Sequence, residues 1–278
     1  MINEILICLE GSTSGRTAVD AGIRIARTLG AGLAGLAIVD EPDIRAGAAT
    51  GIGGASYKRV RDDALVEHAE AQVEKWLSEF ISRCQTAGVP ARALEQHGRP
   101  AATILAQMDP YDLVLMGREA NFKFETAAED SQTRDQVLHR TRKPVLVIPE
   151  TPVTPTARVL TAFDGSSAAK RAIASFSESG LGKDCEVTVA CVDDDGATAF
   201  EMASRGVELF AHFKIKAQPM NLVSVLPIAE ALLEARGKLN ADMIVMGAYA
   251  HSKFSQLLWG SVTQQLVEKT PVPLYLHH

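Results

Sequence analysis

The sequence predicts an α/β protein of two tandem domains, each an open, doubly wound sheet of five parallel strands, packed together as an internal pseudo-dimer. Three observations carry this. The chain repeats itself: YDLVLMGREA around Met116 matches ADMIVMGAYA around Met246, and ILICLEGS from Ile5 matches VLTAFDGS from Val159. The offset is 154 residues between Gly11 and Gly165, 130 between Gly117 and Gly247, and 129 between Thr141 and Thr270, so the first copy is longer in its middle. Within each copy, apolar β-branched runs alternate with helical patterns, and parallel neighbours need such crossovers. Finally, ETPVTP from Glu150 to Pro155 is a short, stiff joint, because closely spaced prolines continue neither a helix nor a central strand.

Taken in order, strands are expected at Ile5–Leu9, Leu33–Val39, Ala91–Gln96, Leu113–Met116 and Val145–Ile148, the third more polar than the rest. Gly15–Leu29 puts Ala18, Gly22, Ile25 and Leu29 on one helical face, Tyr57–Ala87 is a long charged amphipathic helix, and Pro100 suits the first turn of a helix through Met108. The second copy repeats this with strands near Arg158–Phe163, Glu186–Val192, Ala217–Val223, Met243–Met246 and Val272–Leu276. Its helices lie near Ser167–Ser177, Ala197–Phe213, Pro227–Leu239 and Ser261–Lys269. The domains are therefore 1–150 and 156–278. The glycine-rich AGAATGIGGAS at Ala46–Ser56 lacks nucleotide-loop spacing and reads as a flexible loop.

Composition narrows the function. A net charge of −6 with no basic tract argues against nucleic acid as the main partner. No apolar run reaches the roughly 20 residues that span a bilayer, and Met1-Ile2-Asn3-Glu4 leads into a strand without a cationic leader, so no membrane partner and a cytoplasmic location are expected. Cys8, Cys84, Cys185 and Cys191 lack CxxC spacing and clustered histidines, which predicts reduced, mostly buried thiols and no protein-built metal site. His68, His97, His139 and His212 are scattered, and the pair His277-His278 defines no site. Trp259 and Phe254 read as cover for the core or a partner surface, and Ser166 and Ser167 as a helix cap, since no nucleophile elbow surrounds them. No catalytic residue is identified.

Ligands of doubly wound sheets bind beyond the carboxyl ends of the strands, where strand order reverses. There the second copy reads MGAYAHSKFSQLLWGSVTQQL. Gly247 leaves strand four, and Gly260-Ser261-Val262-Thr263 opens a helix whose first amides suit an anion, with Ser261 and Thr263 hydroxyls as donors and His251 and Lys253 in the loop. A helix start capped by its own serine is equally consistent with this spacing.

These residues resemble the universal stress protein family. Its ATP-binding members carry a glycine, two residues, a glycine, nine residues and Gly-Ser or Gly-Thr after strand four. Here Gly247, Ala248-Tyr249, Ala250, nine residues and Gly260-Ser261 follow that pattern, with alanine replacing the second glycine. The family's acid after strand one corresponds to Asp164 and Glu10, and its apolar-apolar-acid ending of strand two to Cys191-Val192-Asp193 and Ile38-Val39-Asp40. The resemblance covers both halves. It implies the adenine nucleotide α-hydrolase-like fold and ATP as ligand, with magnesium or manganese held by the phosphates. It implies that main chain at Cys191 and Val192 holds adenine and that Asp164, beside Ala162 and Phe163, holds ribose hydroxyls. Met246, Gly247, Ala250, Gly260, Ser261 and Val262, with Thr263 in the same helix turn, then surround ribose and phosphates.

Alanine at 250 would cost roughly 1–2 kcal/mol if the position needs a left-handed backbone. In the first copy Ser131-Gln132 replace Gly260-Ser261, and Glu125, Glu129 and Asp130 crowd the helix start and would repel a triphosphate. Loss of nucleotide binding is expected there, leaving a packing partner. Family domains often pair through the last strand, here Val145–Ile148 and Leu274–Leu276, which one chain can satisfy internally; a further homodimer and unknown protein clients stay open.

Three functions from different classes follow. One is a stress-response protein that binds an adenine nucleotide in its C-terminal domain, regulatory rather than catalytic, with slow ATP hydrolysis at most. The second is a nucleotide-independent scaffold or chaperone-like protein. The third is an ATP pyrophosphatase-type enzyme, which expects a Ser-Gly-Gly turn that Phe163-Asp164-Gly165-Ser166 does not provide.

Overall fold

The computed structural model describes residues 1–46, 55–122, 124, 133–248 and 261–278. The first half runs β1 (Glu4–Cys8), α1 (Thr13–Leu29), β2 (Gly32–Val39), α2 (Glu41–Ala46), α3 (Ala55–Ala87), β3 (Ala91–His97), α4 (Pro100–Gln107), β4 (Leu113–Gly117), α5 (Thr133–Arg140) and β5 (Val145–Ile148). The second runs β6 (Arg158–Ala162), α6 (Ser167–Ser179), β7 (Glu186–Asp193), α7 (Gly196–His212), β8 (Ala217–Val223), α8 (Ile228–Leu239), β9 (Met243–Gly247), α9 (Ser261–Lys269) and β10 (Leu274–His277). The expected strands and helices are present to within a few residues at their ends. The glycine-rich stretch ends in α2 on one side and α3 on the other, and 47–54 lie outside the described residues.

The two sheets are one. Strand order is β3-β2-β1-β4-β5-β10-β9-β6-β7-β8, parallel within each half. The halves join where β10 runs antiparallel to β5, pairing Leu274 with Val147, Tyr275 with Leu146 and Leu276 with Val145. Pairing these strands removes two sheet edges that would otherwise template association.

Side-chain alternation sorts the core into two layers, since successive strand residues face opposite sides. Ile5, Ile7 and Leu9 pack with α1 and α3, and with Phe176 of α6 and Phe210 of α7 on the same face of the sheet. Leu6 and Cys8 pack on the other face, where Ile104 of α4, Val137 of α5, Leu232 of α8 and Leu266 of α9 lie. Tyr275 is fully buried at the joint, edge-on to Phe176, its hydroxyl 2.7 Å from Ser175 Oγ.

The repeat extends to single turns. Thr141 Oγ1 accepts from Lys143 N at 2.9 Å after α5, and Thr270 Oγ1 accepts from Val272 N at 3.4 Å after α9. Strand order reverses between β1 and β4 and between β6 and β9, and those two corners are where a ligand crevice is expected.

Candidate functional site

In the second half the corner forms around β6, which lies between β7 and β9. Ala162 is in register with Ala190 on one side and Met246 on the other. Asp164, the end of β7 and the end of β9 therefore share the rim formed by the carboxyl ends of these strands. Phe163 N donates to Ala190 O at 2.9 Å, which carries the pairing one residue past the strand and delivers the exposed Asp164 to the rim. Gly165 follows at φ +77°, a left-handed backbone that favours glycine. Ser166 N donates to Asp164 Oδ1 at 3.0 Å, and Ser166 Oγ accepts from Ala169 N at 3.1 Å, so Ser166 is the N-cap of α6, as its sequence position suggests.

At the end of β7, Cys191 is buried and Val192 half-buried. Burial, followed by the charges of Asp193 and Asp164, pushes the Cys191 thiol up to about 11, so it stays protonated at neutral pH. Asp195 caps α7 through Ala197 N and Thr198 N. At the end of β9, Met246 and Gly247 are buried, and a Cβ on Gly247 would stand 2.4 Å from Ala169 N. Only glycine permits that approach of β9 to the first turn of α6. Ser261 is exposed, Val262 half-buried and Thr263 buried in the first turn of α9. The candidates Ala250 and Gly260, together with His251, Lys253, Phe254 and Trp259, lie outside the described residues.

The first half builds the same corner and turns its acid into it. Glu10 is buried, with Oε2 accepting from Ser12 N at 2.8 Å and Oε1 from Ser12 Oγ at 2.6 Å. Ser12 Oγ lies 2.9 Å from Ser14 Oγ, which accepts from Glu119 N at 3.1 Å. Burial pushes the Glu10 carboxyl up, against the opposing hydrogen bonds of Ser12 and the charge of Arg16. The inward turn of Glu10 depends on glycine: a Cβ on Gly15 would lie 2.4 Å from Glu10 Oε1, and one on Gly117 2.8 Å from it. Ala169 takes the place of Gly15 in the second half and Asp164 that of Glu10, at the same offset of 154. By the repeat, a methyl at that place falls on the side on which the first-half carboxylate rests, and the shorter acid is exposed.

Aromatic rings cover the turn after β1. Trp76 of α3 sits against Gly11, where a Cβ would come within 2.8 Å of its ring, and stacks on Phe124 with ring centroids 5.6 Å apart. The equivalent contact in the second half is Gly165 against Met202 of α7. Ile44 of α2 is also buried, in the same core as Val39. The acids Glu125, Glu129 and Asp130 and the Ser131-Gln132 pair lie outside the described residues. Sequence reading missed α2, Trp76 and the pairing of Glu10 with Gly15, although the Gly15/Ala169 and Glu10/Asp164 contrasts stand in the repeat.

A family model described as the universal stress protein family matches residues 1–149 and again 156–278. The chain belongs to the universal stress protein family. A curated universal stress protein of Synechocystis sp. is 22% identical over 288 residues, covering 98% of this chain and 99% of its own. Among solved structures, a universal stress protein from Archaeoglobus fulgidus superposes with a TM-score of 0.75 at 21% identity, covering 99% of this chain and 96% of its own. A putative universal stress protein from Pseudomonas aeruginosa gives 0.56 at 14% identity, covering 99% and 93%. At such identities these two structures speak for the fold alone; in this chain the two matched domains pair through their last strands, β5 and β10.

The histidine pair at positions 277 and 278 reaches across that pairing. His277 Nε2 lies 3.0 Å from Arg142 O, and His278 Nε2 contacts Leu138 O. Both tie the second half to the end of α5 and the turn after it. Among the described residues no helix is long and apolar enough to cross a membrane, and no group of three or more His, Cys, Asp or Glu could hold a metal.

Proposed function

We propose that this stress-response protein binds one adenine nucleotide, ATP, in its second half, and that binding is its regulatory act rather than the start of catalysis. Asp164 would accept from the ribose hydroxyls beside Ala162 and Phe163. Main chain at Cys191 and Val192 would meet the adenine edge. Met246, Gly247, Ala250, Gly260 and the Ser261-Val262-Thr263 turn would surround ribose and phosphates, a helix start being suited to anions through amides that have no intrahelical acceptor. Magnesium or manganese would be held by the phosphates, since the described residues offer no cage of their own.

The observation that supports this reading best is the contrast between the two corners: Asp164 is exposed at the rim, whereas Glu10 is buried at the matching position. A carboxylate already accepting from Ser12 has little left to offer a ribose, while Asp164 has one oxygen engaged by Ser166 N. The chemistry asks for no general base, and the protonated thiol of Cys191 supplies no nucleophile. The experiment is denaturation of the purified protein with analysis of what it releases. Adenine nucleotide in about equimolar amount is expected; its absence, with no thermal shift in millimolar ATP and magnesium, would overturn the reading.

A second reading, a nucleotide-independent interaction protein, is favoured by exposed apolar residues from the end of β8 to the start of α8: Val223, Val225 and Ile228 stand in solvent, as does Phe200 of α7. Their replacement by serine would abolish client binding under that reading and leave ATP binding untouched under the first.

A further inference from the structure

The two halves hold each other through different groups. Arg118 follows β4 directly, its N–H donating to Ile148 O at 2.8 Å and its carbonyl accepting from Arg134 Nη1 at 2.6 Å. Its side chain leaves the first half. Nη1 donates to Glu268 O at 3.0 Å and to Thr270 O at 3.4 Å, while Nη2 lies 3.5 Å from Glu150 Oε1. Glu268 is in the last turn of α9, and Thr270 follows the helix. Beside them Thr151 Oγ1 donates to Pro271 O at 2.7 Å. The last carbonyls of a helix have no intrahelical donor, and a cation there also complements the negative end of the helix dipole.

The same place in the second half is Ala248. Its N–H repeats the backbone bond, donating to His277 O at 2.9 Å, but a methyl cannot reach α5. Among the described residues, α5 is met at its carbonyl end by His278 Nε2 at Leu138 O, whereas the helix whose first turn is Ser261-Val262-Thr263 receives the guanidinium there. That helix has nine residues, so its ends are about 13 Å apart and a rigid hold on one end fixes the other.

We propose that Arg118 of the first half is a positioning residue for the nucleotide site of the second, pinning the carbonyl end of α9 so that its amide end meets the phosphates in a fixed place. This rests on the nucleotide reading above and gives the first half a task of its own: it holds its neighbour's anion-facing helix instead of binding a nucleotide.

The test uses the full chain. Arg118→Gln should speed amide exchange along Val262–Thr270 and weaken ATP–magnesium binding, measured by calorimetry, about fivefold. Arg118→Lys, which keeps the charge and part of the hydrogen bonding, should recover about half of that loss on a logarithmic scale. His277→Ala serves as the structural control, because it removes the bridge to Arg142 O on the other side of the joint. It should lower the unfolding temperature yet leave ATP affinity within about twofold. Unchanged exchange or unchanged affinity in Arg118→Gln overturns the proposal, and so does an equal loss of affinity in His277→Ala. Failure of the unaltered chain to bind ATP overturns the nucleotide reading itself, and this proposal with it.

Discussion

The corner after β1 and the corner after β6 are built from the same backbone and end in opposite states. In the first, Glu10 turns under Gly15 and Gly117, Ser12 and Ser14 close the hydrogen-bond chain, and Trp76 with Phe124 lies over Gly11. In the second, Ala169 stands in place of Gly15, Asp164 faces solvent, and Met202 stands where Trp76 does. The difference teaches that the same corner can turn its acid inward or outward through a few exchanges. One added methylene on the acid, one methyl removed from the helix start and one indole accompany the change, while strand order and the serine caps of α1 and α6 stay the same.

Substitutions break the comparison in graded steps. Trp76→Ala should have the largest effect on stability, about 3 kcal/mol in urea unfolding, the low end for a large aromatic because Trp76 is only half-buried. A cost below about 1 kcal/mol would show that the ring is not packed over Gly11. Gly15→Ala comes next. With its new methyl 2.4 Å from Glu10 Oε1, something must move, at about 1–3 kcal/mol. Adding Glu10→Asp rebuilds the second-half pair and should return most of that loss, a coupling that a double-mutant cycle measures directly. Additive effects of the two changes would sever the link between Glu10 and Gly15.

Asp164→Ala should change stability by less than about 0.5 kcal/mol, as befits an exposed position, while ATP affinity falls about tenfold through loss of a charged acceptor. The smallest effect is a pH dependence. Burial raises the Glu10 carboxyl on folding, so the folded state binds its proton more readily than the unfolded chain does. Between the ordinary carboxylate value and the raised one, stability therefore falls as pH rises. Glu10→Gln should flatten that slope, and the difference between the two unfolding curves isolates it from other acids. An identical slope in both proteins would mean that Glu10 does not titrate from a buried position.

Much of this was legible before any coordinates. The internal repeat and its shrinking offset define two copies of one domain, and Thr141 and Thr270 prove to make the same turn. Ser166 caps α6 as its position before a helical pattern implies. The filling of the first corner was not legible, because Trp76 belongs to a long helix whose charged pattern says nothing of which strand end it will cover. The inward turn of Glu10 was half-legible. The contrasts of Gly15 with Ala169 and of Glu10 with Asp164 are plain in the repeat, but each looks conservative until a Cβ is placed beside the carboxylate. His277 and His278 read as a bare pair, and their carbonyl partners near α5 lie about half the chain away, beyond the reach of any local pattern.

The central claim is that one corner of the pair takes a nucleotide and the other has given up its room. Calorimetric titration of the full chain with ATP and magnesium tests it most directly. The account predicts one nucleotide per chain, lost or strongly weakened in Asp164→Ala and unaffected by Glu10→Gln. Two nucleotides per chain, or a single one that survives Asp164→Ala and disappears in Glu10→Gln, would contradict it.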